Sequence, residues 1–297
     1  MKLVKEKNPG KRLTAEQRKA SVGKGFIYHK SSQPFYGIEV VIRNLETDPE
    51  LYISHYRNYI YKTPWLIHFL KILEFIKNGK IMVHGGAVTK NLNDGIIITG
   101  QSDAGKTTLV FLLAKQGYSI LGDDKINLSA KGEISRYEDN LGLYPHPDNL
   151  KDLPLTGKQK ILGWLKYQIT KFGFITSRIN PNLRVKYHQV GKVADTAQLK
   201  KVFIIERGKP DIQEINKSTA IRKILATSLR LLMPEGFPKA LFYKYCFVNE
   251  IEPTFVTDRA RSILDRALEG KKIFLVTGEN YKDFYDLIQQ QISATQL

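Results

Sequence analysis

Cysteine is nearly absent from this 297-residue chain: Cys246 stands alone. A disulfide within the chain, a Cys-cluster zinc site and an iron–sulfur site are excluded. Long apolar runs are missing too. None approaches ~18 residues, so no membrane-spanning helix is expected. The opening residues, Met1-Lys2-Leu3-Val4-Lys5-Glu6-Lys7, have no apolar stretch behind them, and no secretory leader is expected. The expected location is cytoplasmic. Internal repeats and low-complexity tracts are also lacking. Acidic side chains are scarce, 29 Asp+Glu against 46 Lys+Arg, for a net charge of +17.

What is present is an ordinary globular composition, with 42% apolar and 25% charged residues. That excludes wholesale disorder. The length suits one large domain or two modest ones, and it buries a full core without disulfides. The positive excess is uneven. Residues 1–30 hold nine basic and two acidic side chains, and residues 151–193 hold nine basic against Asp152 alone. Such segments suit an anionic partner, whether nucleic acid, acidic protein or membrane surface, or simply a solvated basic face.

Residues 1–24 have few large apolar side chains and read as a basic flexible arm with a short helix near 15–20. The remainder, 25–297, reads as a single domain. Strands are expected at 36–43 and 51–61, and a helix from Pro64 to Asn78-Gly79. Residues 80–89 (KIMVHGGAVT) and 95–99 (GIIIT) read as a hairpin through Asn93-Asp94-Gly95. A loop and helix follow to 116, with Gly117 as the stop. Strands are expected at 118–122, 125–129, 134–138, 200–206, 211–215 and 272–276. Helices are expected near 158–170, 218–232, 237–249, 257–268 and 280–292. Cys246 reads as core, beside Phe242, Tyr243 and Phe247. The pattern predicts an α/β fold, a mixed β-sheet with helices on its faces.

The most specific chemistry lies in Gly100-Gln101-Ser102-Asp103-Ala104-Gly105-Lys106-Thr107, which fits G-x-x-x-x-G-K-[ST] between a buried strand and a helix. Glycines let main-chain N–H groups turn inward toward phosphate oxygens. The helix end adds free N–H groups and the positive dipole end. Lys106 supplies a point charge for the β/γ-phosphates, and the Thr107 hydroxyl is a magnesium ligand type.

Asp123-Asp124 follows one helix and one strand later. A right-handed crossover lays 118–122 parallel to 95–99, so its end shares the loop's edge of the sheet. Two carboxylates there can divide labour: one holds a metal, the other accepts a proton from an attacking hydroxyl. His84, in Val83-His84-Gly85-Gly86, comes level with Gly100 if the hairpin is antiparallel. Its imidazole can ligate a metal, bond a phosphate, or serve structure alone. Gly85 and Gly86 permit close backbone approach.

Taken together, Val83-His84-Gly85-Gly86-Ala87-Val88, the segment Ile97 to Thr108, and Ile120-Leu121-Gly122-Asp123-Asp124 resemble the HPr kinase/phosphorylase family. ATP-dependent phosphoenolpyruvate carboxykinases share a similar order of His-strand, Walker A loop and Asp pair. The clear resemblance covers about residues 80–128. It implies a mixed sheet with a Walker A P-loop fed by a β-hairpin, C-terminal helices, and Mg-ATP as ligand. It implies nucleotide binding by Gly100, Gln101, Ser102, Asp103, Ala104, Gly105, Lys106, Thr107 and Thr108. It further implies Asp123 as base, Asp124 and Thr107 on Mg²⁺, and His84 on the polyphosphate or metal. Family members often form oligomers, so a homo-oligomer is among the expected partners.

The chain departs from that family in two respects. A signature close to L-E-x-R-G-L-G-I is lacking; Glu206-Arg207-Gly208 is a superficial echo. About 60 residues precede the helix at 64, short of the usual N-terminal regulatory domain. HPr itself is therefore not the expected acceptor. The expected activity is γ-phosphate transfer from ATP to a hydroxyl, on Ser/Thr of a protein or peptide or on a small molecule. The stretch 140–198 is the expected lid and acceptor segment, with Tyr144, His146, Arg178, Arg184 and Lys186 as candidates. Two alternatives stand beside the kinase. One is a carboxykinase-like enzyme, against which the short Lys106–Asp123 gap and the chain length argue. The other is a nucleotide-dependent module gripping a polyanion; base-reading motifs for nucleic acid are absent.

Overall fold

The structure is a computed structural model. It describes residues 2–6, 9–30, 39–44, 50–54, 63–102, 104–137, 140–143, 155–171, 183–232 and 239–294. The chain divides into two compact units, residues 1–81 with 229–263, and residues 82–228 with 264–297.

The first unit is built on a five-stranded sheet in the order β1-β5-β4-β3-β2. Its strands are β1 (Lys2–Glu6), β2 (Val22–Gly23), β3 (Phe26–Lys30), β4 (Glu39–Arg43) and β5 (Glu50–Ser54). Where the sequence suggests a flexible arm at 1–24, the structure has β1, a 3₁₀ turn at Pro9–Arg12, α1 (Ala15–Ala20) and β2. The reason lies in main-chain bonding, which composition does not report. β1 joins β5 in parallel register, Lys2 opposite Glu50. Thr14 and Gln17 cap α1 reciprocally. Arg18 donates to the carbonyls of Gly10 and Leu13, both at 2.7 Å. Leu13, Phe26, Tyr28, Val41 and Tyr52 then form a small core.

Two helices complete that unit's apolar packing. α2 (Thr63–Lys77) buries Phe69, Leu70, Ile72, Leu73 and Ile76. The Phe69 ring meets Phe242 edge-on at 5.7 Å. Cys246 is fully buried with Phe242, whereas Tyr243 and Phe247 of the same segment are exposed.

The second unit carries an eight-stranded mixed sheet. β6 (Lys80–Thr89) and β7 (Gly95–Gly100) form the antiparallel hairpin, with Gly85 opposite Thr99. β13 (Thr196–Arg207) runs parallel to β7 on one side and to β15 (Lys272–Gly278) on the other. β14 (Asp211–Glu214) closes that edge antiparallel. β8 (Ser119–Gly122) pairs antiparallel with β6. It therefore points along β7, as the crossover argument requires, but β6 lies between the two. β9 (Lys125–Ser129) and β10 (Glu133–Arg136) follow, and β10 also pairs with β13.

A short ribbon, β11 (Asn140–Leu143) with β12 (Leu183–Lys186), flanks α4 (Gly157–Lys171) in the chain. α3 (Lys106–Lys115) and α8 (Tyr281–Ser293) pack on the sheet and on each other. Their contact joins Leu109, Val110 and Leu113 with Phe203, Ile205, Val276, Phe284 and Ile288 in one core. α5 (Lys217–Leu232), α6 (Lys239–Val248) and α7 (Phe255–Ala267) are the remaining helices among the described residues. No described helix is long and apolar enough to cross a membrane.

Candidate functional site

Three pieces of sequence meet at one edge of the second unit's sheet. β7 is buried along its whole length and delivers Gly100 to that edge. Gly105 leads into α3 at Lys106. Gly105 stands at the helix N-cap with φ of 100°, a conformation costly to any side chain, and caps nothing itself. No acidic residue occupies the first turn of α3. The helix end thus keeps the electropositive, anion-receptive character of uncapped N–H groups. Asp103 lies outside the described residues.

Lys106 is buried, 6% exposed, and folds back over the turn. Its Nζ donates to the carbonyls of Gly100 at 3.0 Å and Gln101 at 2.6 Å. One residue later the Thr107 hydroxyl reaches Oδ2 of Asp123 at 3.4 Å. Asp123 stands just beyond the end of β8 and is 2% exposed. Its other oxygen, Oδ1, accepts a 2.7 Å hydrogen bond from the phenol of Tyr187. Both oxygens of this buried carboxylate are therefore engaged by neutral hydroxyl donors.

Asp124 differs sharply from its neighbour. Its side chain is 51% exposed, and His84 Nδ1 lies 3.2 Å from Oδ1. The same nitrogen lies 3.2 Å from the Asp124 carbonyl. The hydrogen bond from His84 holds the Asp124 carboxyl below the usual carboxylate range; burial opposes this, and Lys125 and Lys106 add to it. The backbones are tied as well: Gly85 N–H donates to the Asp124 carbonyl at 3.0 Å, and Thr99 Oγ1 donates to the His84 carbonyl at 2.8 Å. With Nδ1 facing two oxygens, the proton belongs there. The far nitrogen, Nε2, is buried and has no hydrogen-bond partner in the structure. With the proton on Nδ1 this nitrogen is an acceptor, which suits a hydrogen-bond donor or a borderline metal better than Mg²⁺, which prefers oxygen ligands.

The pair Thr107 Oγ1 and Asp123 Oδ2 is the hard-oxygen set that fits Mg²⁺. Among the described residues no cluster of three or more His, Cys, Asp or Glu forms a self-sufficient metal cage.

Most of the residues singled out from the sequence converge at this edge: the described loop residues, Lys106, Thr107, His84, Asp123 and Asp124. The sequence reading missed Tyr187, which sits in a 3₁₀ turn after β12. Glu206 and Arg207 lie at the same edge, one and two residues past Ile205, which pairs with Gly100. Glu206 accepts from Lys223 at 2.6 Å, and Arg207 donates to the Glu279 carbonyl. Of the acceptor-site candidates, Tyr144, His146 and Arg178 lie outside the described residues, as does the side chain of Arg184. Lys186 is exposed at the end of β12.

No family model matches the chain, and no curated protein matches it. Among solved structures, the chain is similar to the HPr(Ser) kinase/phosphatase from Coxiella burnetii. The TM-score is 0.35 at 9% identity, over 72% of this chain and 95% of that one. A superposition this loose transfers no residue roles, so those roles rest on the geometry above.

Proposed function

We propose that the chain is an ATP-dependent phosphotransferase that moves the γ-phosphate of Mg-ATP to a hydroxyl acceptor. The observation that carries this reading is the meeting of Thr107 with Asp123 beside the loop that Lys106 spans. A hydroxyl, a carboxylate and an ammonium group at an uncapped helix start form a polyphosphate and magnesium site. Thr107 and Asp123 would hold the ion, and bound Mg²⁺ would neutralise charge on the transferring phosphate. Lys106 leaves the two carbonyls and pairs with the β/γ-phosphates. His84 would donate from Nε2 to a phosphate oxygen only with both ring nitrogens protonated.

The family resemblance assigns the base to Asp123 and the metal to Asp124. The contacts favour the reverse division. Asp123 is buried with both oxygens engaged, whereas Asp124 is half exposed and ionised at neutral pH. On this reading Asp124 accepts the acceptor's proton as the new P–O bond forms and the bond to the β-phosphate breaks. The acceptor is a Ser/Thr hydroxyl of a protein or peptide, or a small-molecule hydroxyl.

The test is transfer from γ-labelled ATP into separated protein and small-molecule fractions of a cell extract, across a Mg²⁺ titration. Asp124→Asn is expected to lower turnover by about 10²-fold or more at every Mg²⁺ concentration. Asp123→Asn is expected to raise the Mg²⁺ requirement. If Asp123→Asn lowers turnover by about 10²-fold or more at saturating Mg²⁺ while the residual activity keeps its Mg²⁺ requirement, the base returns to Asp123. No labelled product from the unaltered chain in either fraction, with ATP still bound, ends the kinase reading.

A further inference from the structure

α4 wears its apolar side outward. On a helical wheel Trp164, Ile161, Leu165 and Leu162 share one arc. These four are exposed, Ile161 at 63%, Trp164 at 54%, Leu162 at 48% and Leu165 at 45%. The opposite arc is the one turned inward: Gly163 is buried, and Gln159 and Tyr167 are half-buried. A surface helix of a globular protein has the reverse arrangement. The orientation is fixed on both sides. Thr156 and Gln159 form a capping box at the helix start. Leu155 before the helix, and Val185 and Tyr187 after it, are buried in the unit's main core. α4 itself packs against β12.

The charge along this stretch of the chain has one sign. Lys158, Lys160, Lys166 and Lys171 lie on the helix, and residues 153–194 contain no Asp or Glu. Lys158 and Lys160 are exposed. By position Lys160 borders the apolar arc beside Trp164, and Lys166 borders it beside Leu162. We propose that α4 is an interfacial helix that lays its Ile161, Leu162, Trp164 and Leu165 face into an anionic lipid surface. The pattern is the one such helices need: apolar side chains enter the acyl boundary, indole sits at headgroup depth, and flanking lysines reach the phosphates. A second copy of the chain fits poorly, because two such faces would oppose lysine to lysine and the helix itself supplies no carboxylate. Nucleic acid fits less well, because a base can stack on Trp164 but gains little from the three aliphatic side chains beside it. This inference does not depend on the phosphotransferase reading.

The test uses the full chain with vesicles of neutral phosphatidylcholine, alone or mixed with phosphatidylserine, and follows flotation and tryptophan emission. The chain has two tryptophans, so Trp65→Phe isolates Trp164. Partition into the anionic vesicles, a blue-shifted Trp164 emission and weakening by salt are expected. The pair Ile161→Ser/Leu165→Ser is expected to abolish partition with thermal unfolding unchanged. Should that pair misfold, Trp164→Ser replaces it. Lys158→Gln/Lys160→Gln is expected to weaken partition by roughly tenfold or more. The proposal is overturned if the unaltered chain ignores anionic vesicles, or if partition survives loss of the apolar side chains. It is equally overturned if those substitutions instead dissolve a concentration-dependent dimer or release a protein partner.

Discussion

The phenol of Tyr187 donates a 2.7 Å hydrogen bond to Oδ1 of Asp123, across 64 residues of chain, with both groups buried. This bond fixes the carboxylate so that its second oxygen faces Thr107. It also ties the turn after β12 to the end of β8.

Tyr187→Phe keeps the ring in the core and removes one donor from a buried carboxylate. The expected cost is about 1–3 kcal/mol, seen as a lower denaturation midpoint. A double-mutant cycle with Asp123→Ala isolates the bond. A coupling of about 1 kcal/mol is expected; additivity within ~0.3 kcal/mol would show that the contact holds nothing. On the phosphotransferase reading Tyr187 is a positioning residue, so Tyr187→Phe should also raise the Mg²⁺ requirement of transfer.

Lys106 offers a second prediction. Its ammonium group bridges the carbonyls of Gly100 and Gln101. On the phosphotransferase reading a bound polyphosphate draws it away from both and gives it a charge-assisted contact in return. Lys106→Met should therefore lower ATP affinity by about tenfold or more, measured by calorimetry. An unchanged affinity would remove Lys106 from the phosphate site.

Much of this site is legible in the sequence because its signals are local. The Asn-Asp-Gly turn gives the β6–β7 hairpin, the glycines mark the loop, and Asp123-Asp124 closes a short apolar strand. What is not legible depends on distant partners. No spacing rule joins Tyr187, in an irregular stretch, to a carboxylate 64 residues earlier. The insertion of β6 between β7 and β8 is decided by strand pairing, and a right-handed crossover alone does not reveal it. The N-terminal strands are held by main-chain bonds that polar sequence conceals. For α4 the periodicity shows an apolar stripe, but only the burial of Gly163 tells which side of the helix is packed.

Gly86 shows how tightly the site's scaffold is packed. A Cβ there would stand 2.4 Å from Val110 Cγ2 on α3, 3.2 Å from the Gly122 carbonyl and 3.4 Å from Asp123 Cα. Gly86→Ala should cost about 1–3 kcal/mol by overpacking. Val110→Ala opens space at the closest contact, so the double variant should lose less than the sum of the singles. Strict additivity in denaturant melts would mean that the strain lies in the backbone of β8 instead.

The last prediction concerns the first unit and alkaline pH. Burial, with a 2.7 Å hydrogen bond to Glu39, pushes the Tyr28 phenol up from its ordinary 10.0 to about 12, against a small opposing pull from Arg18. Between those values an unfolded chain releases the phenolic proton while the folded chain keeps it. Unfolding gains from each released proton, so this contribution to stability is whole below pH 10, falls as the pH rises, and is gone above about 12. Tyr28→Phe has no proton to lose there. Thermal melts of both proteins should therefore differ by a constant amount up to pH 10, and the gap should shrink from there to about 12. Subtraction removes the other 14 of the 15 tyrosines from the comparison. A gap that stays flat across that window would mean that Tyr28 ionises at its ordinary pH and that Glu39 does not hold its proton.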